Sequence, residues 1–167
     1  MADSYNNIGL IYQGQEDHEK AMEYYKKSVS IREEIGDKKG MARAFNNIGT
    51  LYYYHGDYVK AIEYYTNSLN IKEEIGDKKD VASSLNNTGN AWKAQGEYAK
   101  AMDYFTKSLI INEELGNKKG LSTSLNNIGN IYYYQGNYVK AKYFGLWALN
   151  SAQESGAAVE IENASKA

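Results

Sequence analysis

Apolar residues fall at helical spacing along nearly the whole chain. Between Ala42 and His55, the residues Phe45, Ile48, Tyr52 and His55 recur at steps of three and four and so share one stripe of a helix. Gly56-Asp57 follows, glycine suiting the left-handed position past a helix end and aspartate suiting the cap of the next start. From Tyr58 to Ile75 two stripes appear, Tyr58-Ala61-Ile62-Tyr65-Leu69 and Tyr64-Ser68-Ile71-Ile75, so this second helix is expected to be buried on two sides. It packs on the helix before it and on the one after it. Gly76-Asp77 then ends it, as Gly36-Asp37 and Gly116-Asn117 do elsewhere.

The same pattern returns every 40 residues without insertion: Asn6-Asn7-Ile8-Gly9, Asn46-Asn47-Ile48-Gly49, Asn86-Asn87-Thr88-Gly89 and Asn126-Asn127-Ile128-Gly129. A fixed period in this range specifies an all-α solenoid, a zigzag of antiparallel helix pairs in which each unit rests on its neighbours. Residues 1–167 read as one array, with repeats over 2–41, 42–81, 82–121 and 122–156 and a partial helix over 157–167. A glycine inside each first helix costs about 1 kcal/mol relative to alanine. Its match with Ala21, Ala61, Ala101 and Ala141 on the second helices predicts a close crossing of glycine against alanine.

These residues resemble the tetratricopeptide repeat in its 40-residue form. The aromatic, Leu-Gly, Tyr, Gly, Ala, aromatic and small residues of that pattern fall on Phe45, Ile48-Gly49, Tyr52, Gly56, Ala61, Tyr65 and Ser68. With its Glu-Glu-Ile-Gly-Asp-Lys-Lys connector at residues 33 to 39 and 73 to 79, the chain is similar to arrays in bacterial signalling proteins, including sensor kinases and cyclases. Related long-form arrays in kinesin light chain and spindle-orientation adaptors hold extended peptides. The resemblance implies a right-handed superhelix and partner binding rather than catalysis.

Composition narrows the chemistry. Cysteine is absent and His18 and His55 are the only histidines, which argues against disulfides, metal sites and cofactors. With 19 Lys and Arg against 21 Asp and Glu and no basic run, nucleic acid is not an expected partner. No apolar stretch reaches the roughly 18 residues of a membrane helix and no leader precedes the first repeat, so the expected location is cytoplasmic. No nucleophile-base pair, phosphate loop or metal spacing is present, so no enzyme activity is expected. The Lys38-Lys39, Lys78-Lys79 and Lys118-Lys119 pairs follow Glu-Glu pairs and read as a solvated rim.

If Phe45, Ile48 and Tyr52 point into the stack, a rotation of about 100° per residue turns Arg43, Asn46, Asn47, Thr50, Tyr53 and Tyr54 to the opposite face. The third copy adds Ser83, Asn86, Asn87, Asn90, Lys93 and Ala94, the fourth Thr123, Asn126, Asn127, Asn130, Tyr133 and Tyr134, and the first Asp3, Asn6, Asn7, Leu10, Gln13 and Gly14. This face is expected to line a concave groove for an extended peptide, with asparagine amides on ligand backbone and tyrosines against its side chains. The resemblance singles out Asn7, Asn47, Asn87 and Asn127 as backbone contacts. Asparagine is a poor helix former, so each pair needs a compensating bond, made either to the next repeat or to a ligand.

The alternative is a structural spacer or self-assembly module of a larger bacterial signalling protein. Both ends look cut from a longer array and lack polar caps, which predicts possible homo-oligomers through uncapped repeat ends. Two departures stand out. Glu16 and His18 replace the glycine and tyrosine of the first turn, which is expected to be looser or reshaped. Gly145, Leu146 and Trp147 stand where Tyr65, Thr66 and Asn67 did, and Trp147 is expected to be covered by the tail at 157–167 or by a second molecule.

Overall fold

The structure, a computed structural model, describes the backbone of residues 1–165 and the side chains of residues 1–156. Among them the chain forms eight α-helices and no strand: α1 (Ala2–Gly14), α2 (His18–Glu34), α3 (Lys38–Tyr54), α4 (Tyr58–Ile75), α5 (Lys78–Ala94), α6 (Tyr98–Glu114), α7 (Lys118–Tyr134) and α8 (Tyr138–Ser165). Each helix packs on the next, giving four antiparallel pairs in a row.

The connections follow from capping chemistry. Asp17, Asp37, Asp57 and Asp77 accept a hydrogen bond from the backbone N–H three residues on, as does Asn117. This cap sets α3 off at Lys38, earlier than the apolar pattern from Ala42 suggests, so the lysine pairs occupy first helical turns. The glycines at 36, 56, 76, 96, 116 and 136 all take positive φ, which no side chain opposes. The first turn is neither looser nor reshaped: Glu16 adopts φ 60 and reproduces the glycine geometry, at a cost of about 1–2 kcal/mol.

Two repeating contacts lock each pair. Ser28, Ser68 and Ser108 donate from Oγ to the carbonyls of Ala2, Ala42 and Ala82 at 3.0, 2.7 and 2.8 Å. In the fourth pair the roles are exchanged, Ser122 of α7 donating to Ala148 of α8 at 2.8 Å. The second contact adds a ring to the expected glycine-against-alanine crossing, which the fourth pair shows directly, the carbonyl oxygen of Ala141 lying 3.4 Å from a Cβ on Gly129. In the first three pairs a Cβ on Gly9, Gly49 or Gly89 would stand 2.6, 2.7 or 2.6 Å from the ring of Tyr25, Tyr65 or Phe105, so there the glycine makes room for an aromatic ring.

Helices α1 and α3 touch, as do α5 and α7, without a counterpart of similar extent among α2, α4, α6 and α8. The asparagine bonds that join each odd-numbered helix to the next run along one side of the array, called here the inner face. At the far end α8 runs on unbroken to Ser165 where the sequence suggests a separate piece from residue 157. Trp147 is 36% exposed. The tail side chains expected to cover it lie outside the described residues.

Candidate binding groove

The polar stripe of each odd-numbered helix meets the stripe of the next through its asparagines. Asn47 Nδ2 donates to Asn6 Oδ1 at 3.0 Å, Asn87 to Asn46 at 2.9 Å and Asn127 to Asn86 at 3.3 Å. The second asparagine of one repeat therefore reaches back to the first of the repeat before it. Each such bond is worth about 0.5–1.5 kcal/mol net, enough to balance the poor helix propensity of the pair. The donors keep one N–H and their Oδ1, while Asn7 and Asn126, at the two ends of the ladder, are exposed and make no side-chain bond among the described residues.

Asn86 is a correction to the groove set. It is 7% exposed, and its Nδ2 donates to Ser108 Oγ at 2.8 Å and Ser124 Oγ at 3.2 Å while its Oδ1 accepts from Asn127. Ser84, the third repeat's counterpart of Ser124, is taken by Lys72 Nζ at 2.7 Å, whereas Asn112 replaces that lysine one repeat on and leaves Ser124 to the Asn86 amide. Its hydrogen-bonding capacity is consumed inside the stack.

The remaining residues gather at two hollows. Tyr53, Tyr54, Thr50 and Tyr65 line one of about 180 Å³ with Asn87 and Asn90 from the next repeat. Asn126, Asn130 and Tyr133 edge another of about 390 Å³. Tyr54 is 74% exposed, and Tyr133 and Tyr134 are also exposed, Tyr134 stacking on Tyr98 at 5.9 Å. Tyr53 is half-buried against Tyr58, and burial pushes its hydroxyl above the ordinary tyrosine range. Lys93 is likewise half-buried, and loss of solvent pulls its ammonium below the ordinary lysine range. Arg43 is exposed at the other end, 3.6 Å from Asp3 Oδ1. Asp3 itself is held below the ordinary aspartate range, chiefly by its hydrogen bond to buried Arg32, which also binds Ser28 and Asp37.

Leu10, Gln13, Gly14 and Tyr54 of the expected groove face border a third hollow of about 550 Å³, to which Glu16, His18 and Leu51, which sequence reasoning did not place there, contribute. Leu10 stands where the later copies carry Thr50, Asn90 and Asn130, and that break in a polar column is the signal that marks it. His18 and His55 pack ring against ring at 3.9 Å. Among the described residues no three His, Asp or Glu side chains converge as metal ligands, and no helix is long and apolar enough to cross a membrane.

The sequence profile of the tetratricopeptide repeat matches residues 1–74, 41–114 and 80–154. No curated protein matches the chain significantly. Among solved structures, BtubC (BKLC) from P. vanneervenii superposes with a TM-score of 0.83 at 21% identity, over 93% of this chain and 64% of its own. Aspartyl phosphate phosphatase F from Bacillus subtilis gives 0.86 at 19% identity, over 93% and 41%. The apo form of RapI gives 0.83 at 21%, over 92% and 43%. The chain thus spans between 41% and 64% of the length of these structures, and at such identities the likeness shows the fold.

Proposed function

Since the chain belongs to the tetratricopeptide repeat family, whose fold is typical of protein-interaction modules, we propose that it holds an extended peptide segment of a partner protein along its inner face. The observation that carries the reading is the set of amide groups left over by the ladder. Asn87 spends one N–H on Asn46 and lines, with Asn90, Tyr53 and Tyr54, an open hollow where a donor and an acceptor stand beside aromatic area. A peptide backbone needs such a donor and acceptor pair, and tyrosine offers contact area at low entropy cost. The family is generally non-catalytic, and the phosphatase activity in one neighbour's name belongs to that protein.

Affinity should be modest, since each amide bond yields about 0.5–1.5 kcal/mol and the segment loses freedom on binding. The test is capture of partners from the source cells by the parent chain and by a Tyr54→Ala, Asn90→Ala, Tyr133→Ala variant. None of the three residues makes a hydrogen bond that holds helices together among the described residues, so the variant should stay folded by circular dichroism. A partner bound by the parent through a short segment, and lost by the variant, is the expected result. Equal capture by both refutes the reading.

One observation favours self-assembly as the second reading. Ile11 is 59% exposed at the place where Leu51, Ala91 and Ile131 are buried on the preceding repeat, and Asn7 and Asn126 are the open ends of the ladder. A second copy could continue both. A mass in sedimentation that grows with concentration and falls back to one chain in Ile11→Asp would establish it, whereas a concentration-independent single-chain mass rules it out.

A further inference from the structure

Three times the array fills the same space with an aromatic ring. Tyr25, Tyr65 and Phe105 each lie over the glycine of the preceding helix and are at most 4% exposed. In the fourth pair Gly145 stands at that position, in register with them because Phe144 stacks on Tyr132 at 5.5 Å, just as Tyr64 stacks on Tyr52 at 5.5 Å. The ring is missing and nothing has collapsed into its place. A Cβ on Gly145 would meet no atom within 4 Å, and one on Gly129 would meet nothing nearer than 3.4 Å. What remains is the hollow of about 390 Å³ that opens onto the groove. A cavity of roughly 150 Å³ is enough to hold benzene, so the space admits a ring together with the stem that bears it.

We propose that this notch, floored by Gly129, Ala141 and Gly145, is a receptor for a tyrosine side chain carried by the partner segment. The proposal rests on the inner face being a peptide receptor and names the anchor that such a peptide brings. The chain itself supplies the template. Tyr65 donates its hydroxyl hydrogen bond to Thr50 Oγ1 at 3.1 Å and Tyr25 donates to Gln13 Oε1 at 2.6 Å. The fourth-repeat residues at those places, Asn130 and Tyr133, both stand at the notch, and the Asn130 carbonyl can accept from an incoming phenol. Lys142 occupies the site of Ile62 and Met102 and brings an ammonium to the lip of the notch, beside exposed Tyr138 and Leu146. The two phenols that fill this space in the first and second pairs, each with its hydroxyl bonded at the groove edge, specify a tyrosine ring as the occupant.

The test uses p-cresol, the tyrosine side chain as a free molecule, and toluene, which lacks the hydroxyl, titrated into the isotopically labelled chain. Saturable shifts confined to the Gly129 and Gly145 amides and the Asn130 side chain are expected, with p-cresol binding more tightly than toluene. Gly145→Tyr should restore the internal ring, raise heat resistance and abolish the binding. Asn130→Ala, an exposed position without structural bonds, should reduce p-cresol binding to the level of toluene, which keeps the test decisive if Gly145→Tyr fails to fold. Diffuse or absent shifts overturn the proposal, as does unchanged binding in a folded Gly145→Tyr. So does a dimer of the parent that Gly145→Tyr dissolves, since the notch would then serve a second copy. The probe requires no partner, so the notch can fail while partner capture still depends on Tyr54 and Asn90, or stand while that dependence fails.

Discussion

Alanine at Gly49 should destabilise the array, while alanine at Gly129, the same position two repeats on, should stabilise it. Within a helix the change favours folding by about 1 kcal/mol. At Gly49 the new Cβ would lie 2.7 and 2.9 Å from Cδ1 and Cε1 of Tyr65, against the roughly 3.5–4.0 Å of a comfortable carbon contact. The ring cannot withdraw freely, because it is 4% exposed and its hydroxyl is bonded to Thr50 at 3.1 Å. Overpacking of this kind costs about 1–3 kcal/mol, so the net effect runs from near zero to about 2 kcal/mol of destabilisation. At Gly129 the nearest atoms would be 3.4 Å away and the helix gain survives intact. The two variants should therefore differ by about 1–3 kcal/mol, or roughly 2–12 °C in Tm for a chain of this size. Thermal and urea unfolding followed by circular dichroism on parent, Gly49→Ala and Gly129→Ala measures the difference. Equal shifts of the two variants in the same direction would refute the ring-over-glycine account, and with it the vacancy at Gly145.

Other consequences are as direct. Asn86→Ala should cost about 1–3 kcal/mol by leaving Ser108 and Ser124 without their buried partner, whereas Asn126→Ala, exposed and unbonded, should be neutral or slightly stabilising in the same urea assay. Ser68→Ala should lose about 0.5–1.5 kcal/mol with its bond to Ala42, and exchanging Ser122 and Ala148 for Ala and Ser should be tolerated because the other three pairs already use that arrangement. Burial pushes Tyr25 from 10.0 up to about 12, so its neutral form is favoured by folding. The stability it contributes is complete below pH 10 and lost as the pH rises toward 12, because the unfolded chain ionises first. Tyr25→Phe should flatten the alkaline limb of a stability-against-pH curve, and an unchanged limb would show that Tyr25 is not the group responsible.

Periodicity made the fold legible because a unit repeated without insertion repeats its caps, its glycine turns and its apolar stripes. The Gly-Asp junctions placed helix ends, and the steps of Phe45, Ile48 and Tyr52 gave the buried stripe. What the sequence could not show was which residue faced which across a helix pair. Gly49 stands near Ala61 in any sketch of the crossing, yet the side chain that fills its space is Tyr65, one turn further along α4. Asn86 could not be told from Asn46 by its own pattern, because both have serines 22 and 38 residues on; what differs is Lys72, which takes Ser84, where the next repeat has Asn112. The notch is visible in the aligned repeats as a glycine in an aromatic column, but only the empty space beside it gives the substitution a meaning.

The ladder also divides the inner face into two kinds of position. Asn47, Asn87 and Asn127 recur in every copy after the first and bind the copy before them, so their constancy within the chain is explained by register. One turn on, the column reads Leu10, Thr50, Asn90 and Asn130, and the next reads Gln13, Tyr53, Lys93 and Tyr133. These residues change from copy to copy, yet Asn90, Asn130, Tyr53 and Tyr133 border the open hollows. A residue free of inter-repeat duty can vary without loosening the stack, and a difference between copies is what a receptor needs to fix the direction and register of an extended ligand. On the proposed peptide-binding reading, partner choice should therefore be rewritten by exchanging residues within these two columns, for example Lys93 with Tyr133, while exchange within the asparagine pairs should alter stability first.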